Sequence, residues 1–458
     1  MKTLHEIISE PKFEVKGNGK ITFSSGIEGN ANFTIRMLNN GITEGELELD
    51  PPDLKFTVPL SKNENFVLEG KTEDGSNIIG PECHVINSNQ KFGEKTSIKV
   101  NFYAEKVIID QEILKTKPQK ELVVKCSIVN VHETLRITVD TELGELTLIN
   151  YQGIKDLEKI IRSHKISLIT SELQIIPKID DSYTLQDIKE KSLKIARNFL
   201  KLTSLAQTVW HSIAMFTIYE KTDDSDNYHR IYLELFYPKT KSPISLGLAN
   251  TASFPHFLKS AWKGYSENID ENYGFTLALE WYLDSWSASV LESQYLSATT
   301  CLEMLMDKFH SKEKSEYILP DEKFAEFQGR VKDCVKQKGE SLGLDPHTRA
   351  LFYNKLGKGL NRRSFVDKAQ MLIDYWGIKY DDLKITLNDV VRIRNDITHR
   401  GQHAGDTESE EIFSVYKGLI VIIIRILLAM VNFDWEYWDF ARQESVKFDT
   451  VCIKKSND

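Results

Sequence analysis

The sequence predicts an α+β protein in which a strand-rich amino-terminal domain precedes an all-α helical bundle. Three observations carry this. Residues 1–250 hold repeated short runs that alternate apolar with polar side chains, the period of a half-buried strand. After Pro255 apolar residues recur at helical spacing. Between the two, residues 239–250 and then Ser253-Phe254-Pro255 are polar or turn-forming, as a connection between domains is. With 458 residues the chain also exceeds what one hydrophobic core usually serves.

In chain order, residues 32–37, 46–49, 66–69, 97–102, 122–124 and 135–139 read as antiparallel strands bounded by Gly, Asn, Asp and Pro. Together they predict a β-sandwich or an open barrel, whose exposed faces suit recognition of a partner. His84 and His132 stand alone there and read as satisfied or exposed histidines rather than ligands. Residues 185–213 turn helical, with Leu185, Ile188, Leu193, Phe199 and Leu202 tracing an apolar stripe. Residues 215–219 and 230–237 then form a hairpin signal across a polar loop. This mixed segment either completes the first domain or, with a subdivision near 150–180, forms a small second one.

The helical domain is expected over 255–445, followed by a tail at 446–458. Its predicted helices span 257–266, 277–309, 320–342, 346–356, 364–376, 383–399 and 408–431. The long one through Trp286, Leu291, Tyr295, Leu302 and Leu305 should be the central member of an all-α bundle.

Hydrophobic content of 41% and charged content of 27% describe an ordinary globular protein. A net charge of -9 argues against a broad footprint for duplex DNA or an anionic membrane. Nucleic-acid contact must therefore be local. Residues 345–400 carry 11 Lys and Arg against 7 Asp and Glu, so this region is positive within an acidic chain. The five cysteines are scattered and odd in number, fitting neither a zinc pattern nor a disulfide framework, and they point to a reducing cytoplasm. The first residues lack the apolar core of a signal peptide. The most apolar run, 419–430, is about half the length a span needs and holds Arg425, so a buried helix is expected and no membrane partner.

One stretch carries chemistry. On a helix through 387–400, Leu387, Val390, Val391 and Ile397 form an apolar face with Arg394 in its middle. A guanidinium there is costly unless it is paired or lines a site. Asn395 and His399, four residues apart, share an adjoining face. Two readings stay open. Arg394 is either in an ion pair with Glu292 or Glu303, while His399 caps the helix near Gly401, or the two residues are held together for phosphate chemistry.

Arg394, four intervening residues and His399 resemble the R-x4-H motif of the HEPN superfamily, the higher eukaryotes and prokaryotes nucleotide-binding proteins. Asn395 matches the polar residue usual after the Arg, and the runs 289–296 and 301–305 resemble the first long helix of HEPN proteins of the ApeA type, which act in anti-phage defence. The resemblance covers about residues 257–440. It implies a HEPN helical bundle behind a strand-rich domain, and a cofactor-free, metal-independent endoribonuclease. Its two motifs would meet across a homodimer or higher oligomer, with tRNA or other cellular RNA as target. The strand-rich region is then expected to sense a phage-encoded trigger and restrain the nuclease.

The residue types suit that chemistry. RNA cleavage without a metal needs the 2′-hydroxyl deprotonated, the leaving 5′-oxygen protonated and the phosphorane charge stabilised. His399 serves as base or acid around neutral pH, Arg394 offers a fork of donors to phosphate oxygens, and Asn395 positions either the imidazole or the phosphate. One motif supplies one histidine, so two copies supply a pair. The expected products are a 2′,3′-cyclic phosphate and a 5′-hydroxyl. Arg392 and Arg400 on the same helix, and Arg362 and Arg363 after Gly357-Lys358-Gly359, are candidate RNA-contacting cations. That glycine run lacks Walker spacing and reads as a helix connection. Trp435, Tyr437, Trp438 and Phe440 form an aromatic cluster that either packs on the bundle or stacks on bases. The competing class is a non-catalytic module that binds a nucleotide or a protein. No His, Cys, Asp or Glu spacing matches a metal site.

Overall fold

The computed structural model describes residues 4–448 apart from 50–61, 63, 92–96, 132–135, 152–159, 162–163, 165, 180–181, 223–226, 239–246, 251, 357 and 401–405. The chain is mixed α+β and divides into two compact units, Met1–Trp262 and Lys263–Asp458. The division falls about ten residues beyond the polar connection because Trp262 belongs to the first unit. Its indole Nε1 donates to the Asp140 carbonyl at 3.0 Å, and its ring meets Phe199 edge-on.

The first unit opens with a short helix, α1 (Leu4–Ser9), and six strands: β1 (Pro11–Phe23), β2 (Glu28–Leu38), β3 (Thr43–Leu49), β4 (Asn65–Thr72), β5 (Asn77–Lys91) and β6 (Ser97–Ile109). They pair in the order β3-β2-β1-β4-β5-β6, and β6 returns to pair with β3. The result is a closed six-stranded barrel, not the sandwich or open barrel expected. Closure depends on the length of β6. Its first half lies against β3, from Leu49 opposite Ile98 to Glu44 opposite Tyr103. Its second half, Lys106 to Ile109, pairs with residues Leu233–Phe236 and carries the same sheet onward. The barrel is filled by Phe23, Phe33, Phe66, Val85, Phe102 and their aliphatic neighbours.

The same twelve-stranded sheet continues through β7 (Leu122–Val129), β8 (Ile137–Thr141), β9 (Gly144–Asn150), β10 (Ile169–Pro177), β11 (Ser212–Lys221) and β12 (Tyr228–Phe236), ordered β12-β11-β7-β10-β9-β8. The β11–β12 pair is the predicted hairpin. Helix α2 (Leu185–Gln207) packs on β10 and β11, so the mixed segment completes the first unit. Its start is set by a capping box in which the Thr184 side chain and Asp187 satisfy each other's backbone amides.

The alternation rule missed β1, β5, β9 and β10. In β1 glycine replaces the apolar signal because backbones approach too closely for a side chain. A Cβ on Gly19 would lie 2.4 Å from the Glu69 carbonyl oxygen and 2.7 Å from the Gly70 Cα. In β5, Gly80-Pro81 sits where the pairing register with β4 and β6 shifts. His84 is held at Nδ1, 2.7 Å from Asn65 Oδ1, and its ring stacks on Tyr103, while Nε2 lies 3.3 Å from Glu105 without forming a hydrogen bond. His132 lies outside the described residues.

The chain passes through α3 (Phe254–Gly264) into α4 (Glu267–Tyr273), α5 (Phe275–Ser287), α6 (Leu291–Lys312), α7 (Asp321–Ser341), α8 (Pro346–Lys355), α9 (Phe365–Tyr375), α10 (Leu387–Arg400) and α11 (Asp406–Met430). The helix expected over 277–309 is two helices, since Ala288 and Val290 have extended backbones with ψ of 143°. The second of them, α6, is the centre of the bundle and packs against α4, α5, α9, α10 and α11. A small hairpin, β13 (Glu436–Asp439) with β14 (Glu444–Lys447), follows α11, so the unit is not purely helical. It uses the aromatic cluster for packing: Tyr437 and Phe440 are buried, and the Phe440 ring lies 4.8 Å from that of Trp286. Helix α11 is longer than its apolar run. By length and composition Ser409–Met430 could cross a membrane, but that window is 83% buried inside the structure.

Candidate functional site

Helix α10 begins at a capping box. Thr386 Oγ1 donates to Asp389 Oδ2 at 2.7 Å and accepts from the Asp389 amide, while the Thr386 amide donates back to the same carboxylate at 3.0 Å. These bonds hold the Asp389 carboxyl below its ordinary range. One turn on, the buried Tyr295 hydroxyl of α6 donates to the Val390 carbonyl at 2.9 Å and fixes the two helices against each other.

The buried face of α10 is Leu387, Val390, Ile393 and Ile397. Ile393, not Val391, completes the stripe. That rotates the helix relative to the sequence expectation and moves Arg394 from the middle of the face to its margin. The Arg394 side chain is 39% exposed, so a desolvated guanidinium is not what this position holds. Its counterion is Glu303 of α6, with Nη2 2.8 Å from Oε1, rather than Glu292. Nη1 donates to Asn395 Oδ1 at 3.3 Å, and the Arg394 carbonyl accepts from Thr398 Oγ1 at 2.8 Å. Asn395 thus touches the Arg. His399, one turn further, is exposed and has no hydrogen-bond partner among the described residues. The Gly401 that suggested a helix cap lies outside the described residues, as does the Arg400 side chain.

The other candidate cations are partly engaged. Arg392 is exposed but pairs with Glu411 of α11 and lies 3.8 Å from Asp389, which raises its pKa through the Glu411 bond above all. Arg362 is 61% exposed and 3.5 Å from Glu316. Arg363 Nε donates to the Ser315 carbonyl at 3.0 Å. Both belong to the far end of α6. Along that helix the Glu303 level and the terminus at Lys312 are roughly 14 Å apart at 1.5 Å per residue. Arg394 and Arg362 are therefore separate parts of any surface they share. Gly357 is outside the described residues. Among the described residues no group of three or more His, Cys, Asp or Glu could hold a metal.

Sequence reasoning noticed Arg425 only as an interruption of an apolar run. In α11 its side chain is 10% exposed and all five of its N–H donors are used. Nε donates to Tyr437 Oη at 2.9 Å, Nη1 to Asp382 Oδ1 at 2.9 Å and to the Lys379 carbonyl, and Nη2 to Asp382 Oδ2 at 2.8 Å and Asp439 Oδ2 at 3.0 Å. Burial disfavours the charge, but the Asp382 pair and the Tyr437 hydroxyl outweigh it and raise the Arg425 pKa. The Arg425 hydrogen bonds hold Asp382 down at about 2, with Arg442 adding to the pull. This network ties α11 to the segment before α10 and to β13, beside a cleft of about 340 Å³. It is what a structural arginine looks like in this unit. Arg394 has fewer partners and faces outward. No family model, curated protein or solved structure matches the chain.

Proposed function

We propose that this chain is a metal-independent endoribonuclease of the HEPN type, of the ApeA kind that acts against phage, and that Arg394, Asn395 and His399 are half of its active site. The observation that carries the reading is the contrast between two arginines. Arg425 spends every donor on the fold, whereas Arg394 sits at the margin of α10 with donors to spare, five residues before an exposed His399 that has no hydrogen-bond partner among the described residues.

Chemistry follows from that geometry. Arg394 releases Glu303 and binds a non-bridging phosphate oxygen, where a guanidinium forks onto the developing phosphorane charge. His399 takes the proton from the 2′-hydroxyl, whose oxygen attacks phosphorus. The P–O5′ bond breaks, and a second His399, from another copy of the chain, protonates the departing oxygen. A 2′,3′-cyclic phosphate and a 5′-hydroxyl result. We assign the amino-terminal unit to sensing an infection signal. Equal RNA cleavage by the full-length protein in extracts of infected and uninfected cells would count against that role.

The test uses purified protein, a clarified lysate of infected cells as the signal, and total tRNA in EDTA, read against the lysate alone. Cleavage is expected, and it should fall by about two orders of magnitude or more in both Arg394→Ala and His399→Ala. Both side chains are part exposed, so circular dichroism should be unchanged. Undiminished cleavage in either variant removes that residue from the site. A second reading, a non-catalytic nucleotide- or protein-binding module, is favoured by the Arg394–Glu303 pair and predicts no cleavage at all.

A further inference from the structure

Helices α7 and α8 form an antiparallel hairpin, with Gln328 Nε2 donating to the Leu356 carbonyl at one end and Gly339 against Arg349 at the other. Of their side chains, Phe324 is buried and α8 buries none among the described residues. Yet the segment is not polar. Ile318, Phe327, Leu342, Leu351, Phe352 and Leu360 are six of the fourteen most exposed large apolar side chains among the described residues, within 43 positions. Apolar surface concentrated in this way marks an interaction site.

Helix geometry places the rings. The stripe of α7 that faces α8 runs through Gln328, Val335 and Gly339, so Phe327 lies about 100° to one side of it, with Cys334 two turns on. On α8, Phe352 lies about 100° from the inward Tyr353 and about 60° from Arg349, in the same rotational sense. Because the helices are antiparallel, both offsets point to the same side of the hairpin. Phe327 and Phe352 are 47% and 49% exposed there. Lys323 and Lys338 flank them on that side, and Arg362 and Arg363 stand at the hairpin base. Residues 321–363 hold ten Lys and Arg against six Asp and Glu, in a chain whose net charge is -9.

We propose that this side of the α7–α8 hairpin is a docking arm for single-stranded RNA, with bases stacked on Phe327 and Phe352 and phosphates held by Lys323, Lys338, Arg362 and Arg363; it rests on the ribonuclease reading above. Exposed aromatic rings bordered by cations are the pattern that holds single strands without regard to sequence. A second copy of the hairpin fits the same side poorly. Antiparallel self-pairing would bring Lys323 of one copy to Lys338 of the other.

Full-length His399→Ala protein, to prevent cleavage, is titrated with a fluorescein-labelled oligouridylate of about twelve nucleotides, a length the handful of contacts named here can span. Phe327→Ser with Phe352→Ser should weaken binding about tenfold or more without changing its salt dependence, while Phe→Tyr at both positions keeps it. Lys323→Gln with Lys338→Gln should lower the salt slope by about one unit. Binding by the serine variant within twofold of its parent overturns the proposal. So does unchanged RNA binding accompanied by a shift from dimer to monomer in sedimentation, which makes the hairpin a self-interface. The nuclease reading fails separately: wild-type protein that binds the oligonucleotide through these rings but leaves tRNA intact even with infected-cell lysate present keeps the arm and loses the enzyme.

Discussion

Arg394 of α10 and Glu303 of α6 face each other at 2.8 Å, each about a third exposed. An ion pair this open contributes about 1 kcal/mol or less to stability. It does, however, occupy the guanidinium that the proposed chemistry needs. In the proposed chemistry the pair would therefore compete weakly with the phosphate.

Replacing Glu303 with Gln keeps a hydrogen-bonding side chain and removes the competing charge. Cleavage of tRNA should rise about two- to fivefold, the equivalent of the lost pair, with the melting temperature nearly unchanged. Rates that fall to the level of Arg394→Ala would instead make Glu303 a residue that positions Arg394.

Arg425→Met should be severe, in contrast to changes at Arg394. It leaves Asp382 and the fully buried Asp439 without their shared partner, and breaking a buried pair in this way costs about 3–5 kcal/mol. Urea denaturation reads the loss directly. A variant within about 1 kcal/mol of the parent would show that the network is not a major structural tie.

The same network predicts acid sensitivity. Asp382 titrates at about 2 in the folded chain, below its ordinary 3.8. The unfolded state therefore binds the proton first, and the stability from this group is present above about pH 4 and lost as pH falls toward 2. Melting temperature followed over that range should drop more steeply in the parent than in Asp382→Asn, after allowing for the lower starting stability of the variant. Parallel curves would remove Asp382 as a source of the slope.

His310 gives a second pH effect near neutrality. It is buried at the end of α6, with Nε2 3.1 Å from the Lys368 carbonyl and Nδ1 2.6 Å from Ser315 Oγ. Burial first, and then the nearby Lys368 charge, hold its pKa below the ordinary 6.5 even though the Lys368 carbonyl pulls the other way. A depressed histidine contributes stability that is complete above 6.5 and is lost as pH falls below it. His310→Gln should flatten the stability profile between about pH 7 and 5. An unchanged slope would place the titrating group elsewhere.

Much of this fold is written in local patterns. Alternation in 32–37, 46–49 and 97–102 marks strands, and Thr184 with Asp187, or Ser364 with Asp367, marks where helices begin, because a cap and a period are properties of neighbouring residues. The R-x4-H spacing was legible for the same reason. Partnership was not. Nothing local says that β6 is long enough to close a barrel with β3 and still carry the sheet on into β12, or that Gly19 exists to let Glu69 and Gly70 pass.

The chain by itself determined the α+β order of its parts, and its R-x4-H spacing put forward the residues of the proposed chemistry. Only the tertiary structure decided that Ile393 takes the core position, that Arg394 therefore stands at the edge with Glu303, and that Arg425 is the arginine the fold consumes. The physical reason is one of distance. A side chain's burial and its counterion are set by elements tens or hundreds of residues away, and a periodic pattern reports the face of a helix but not what that face will meet.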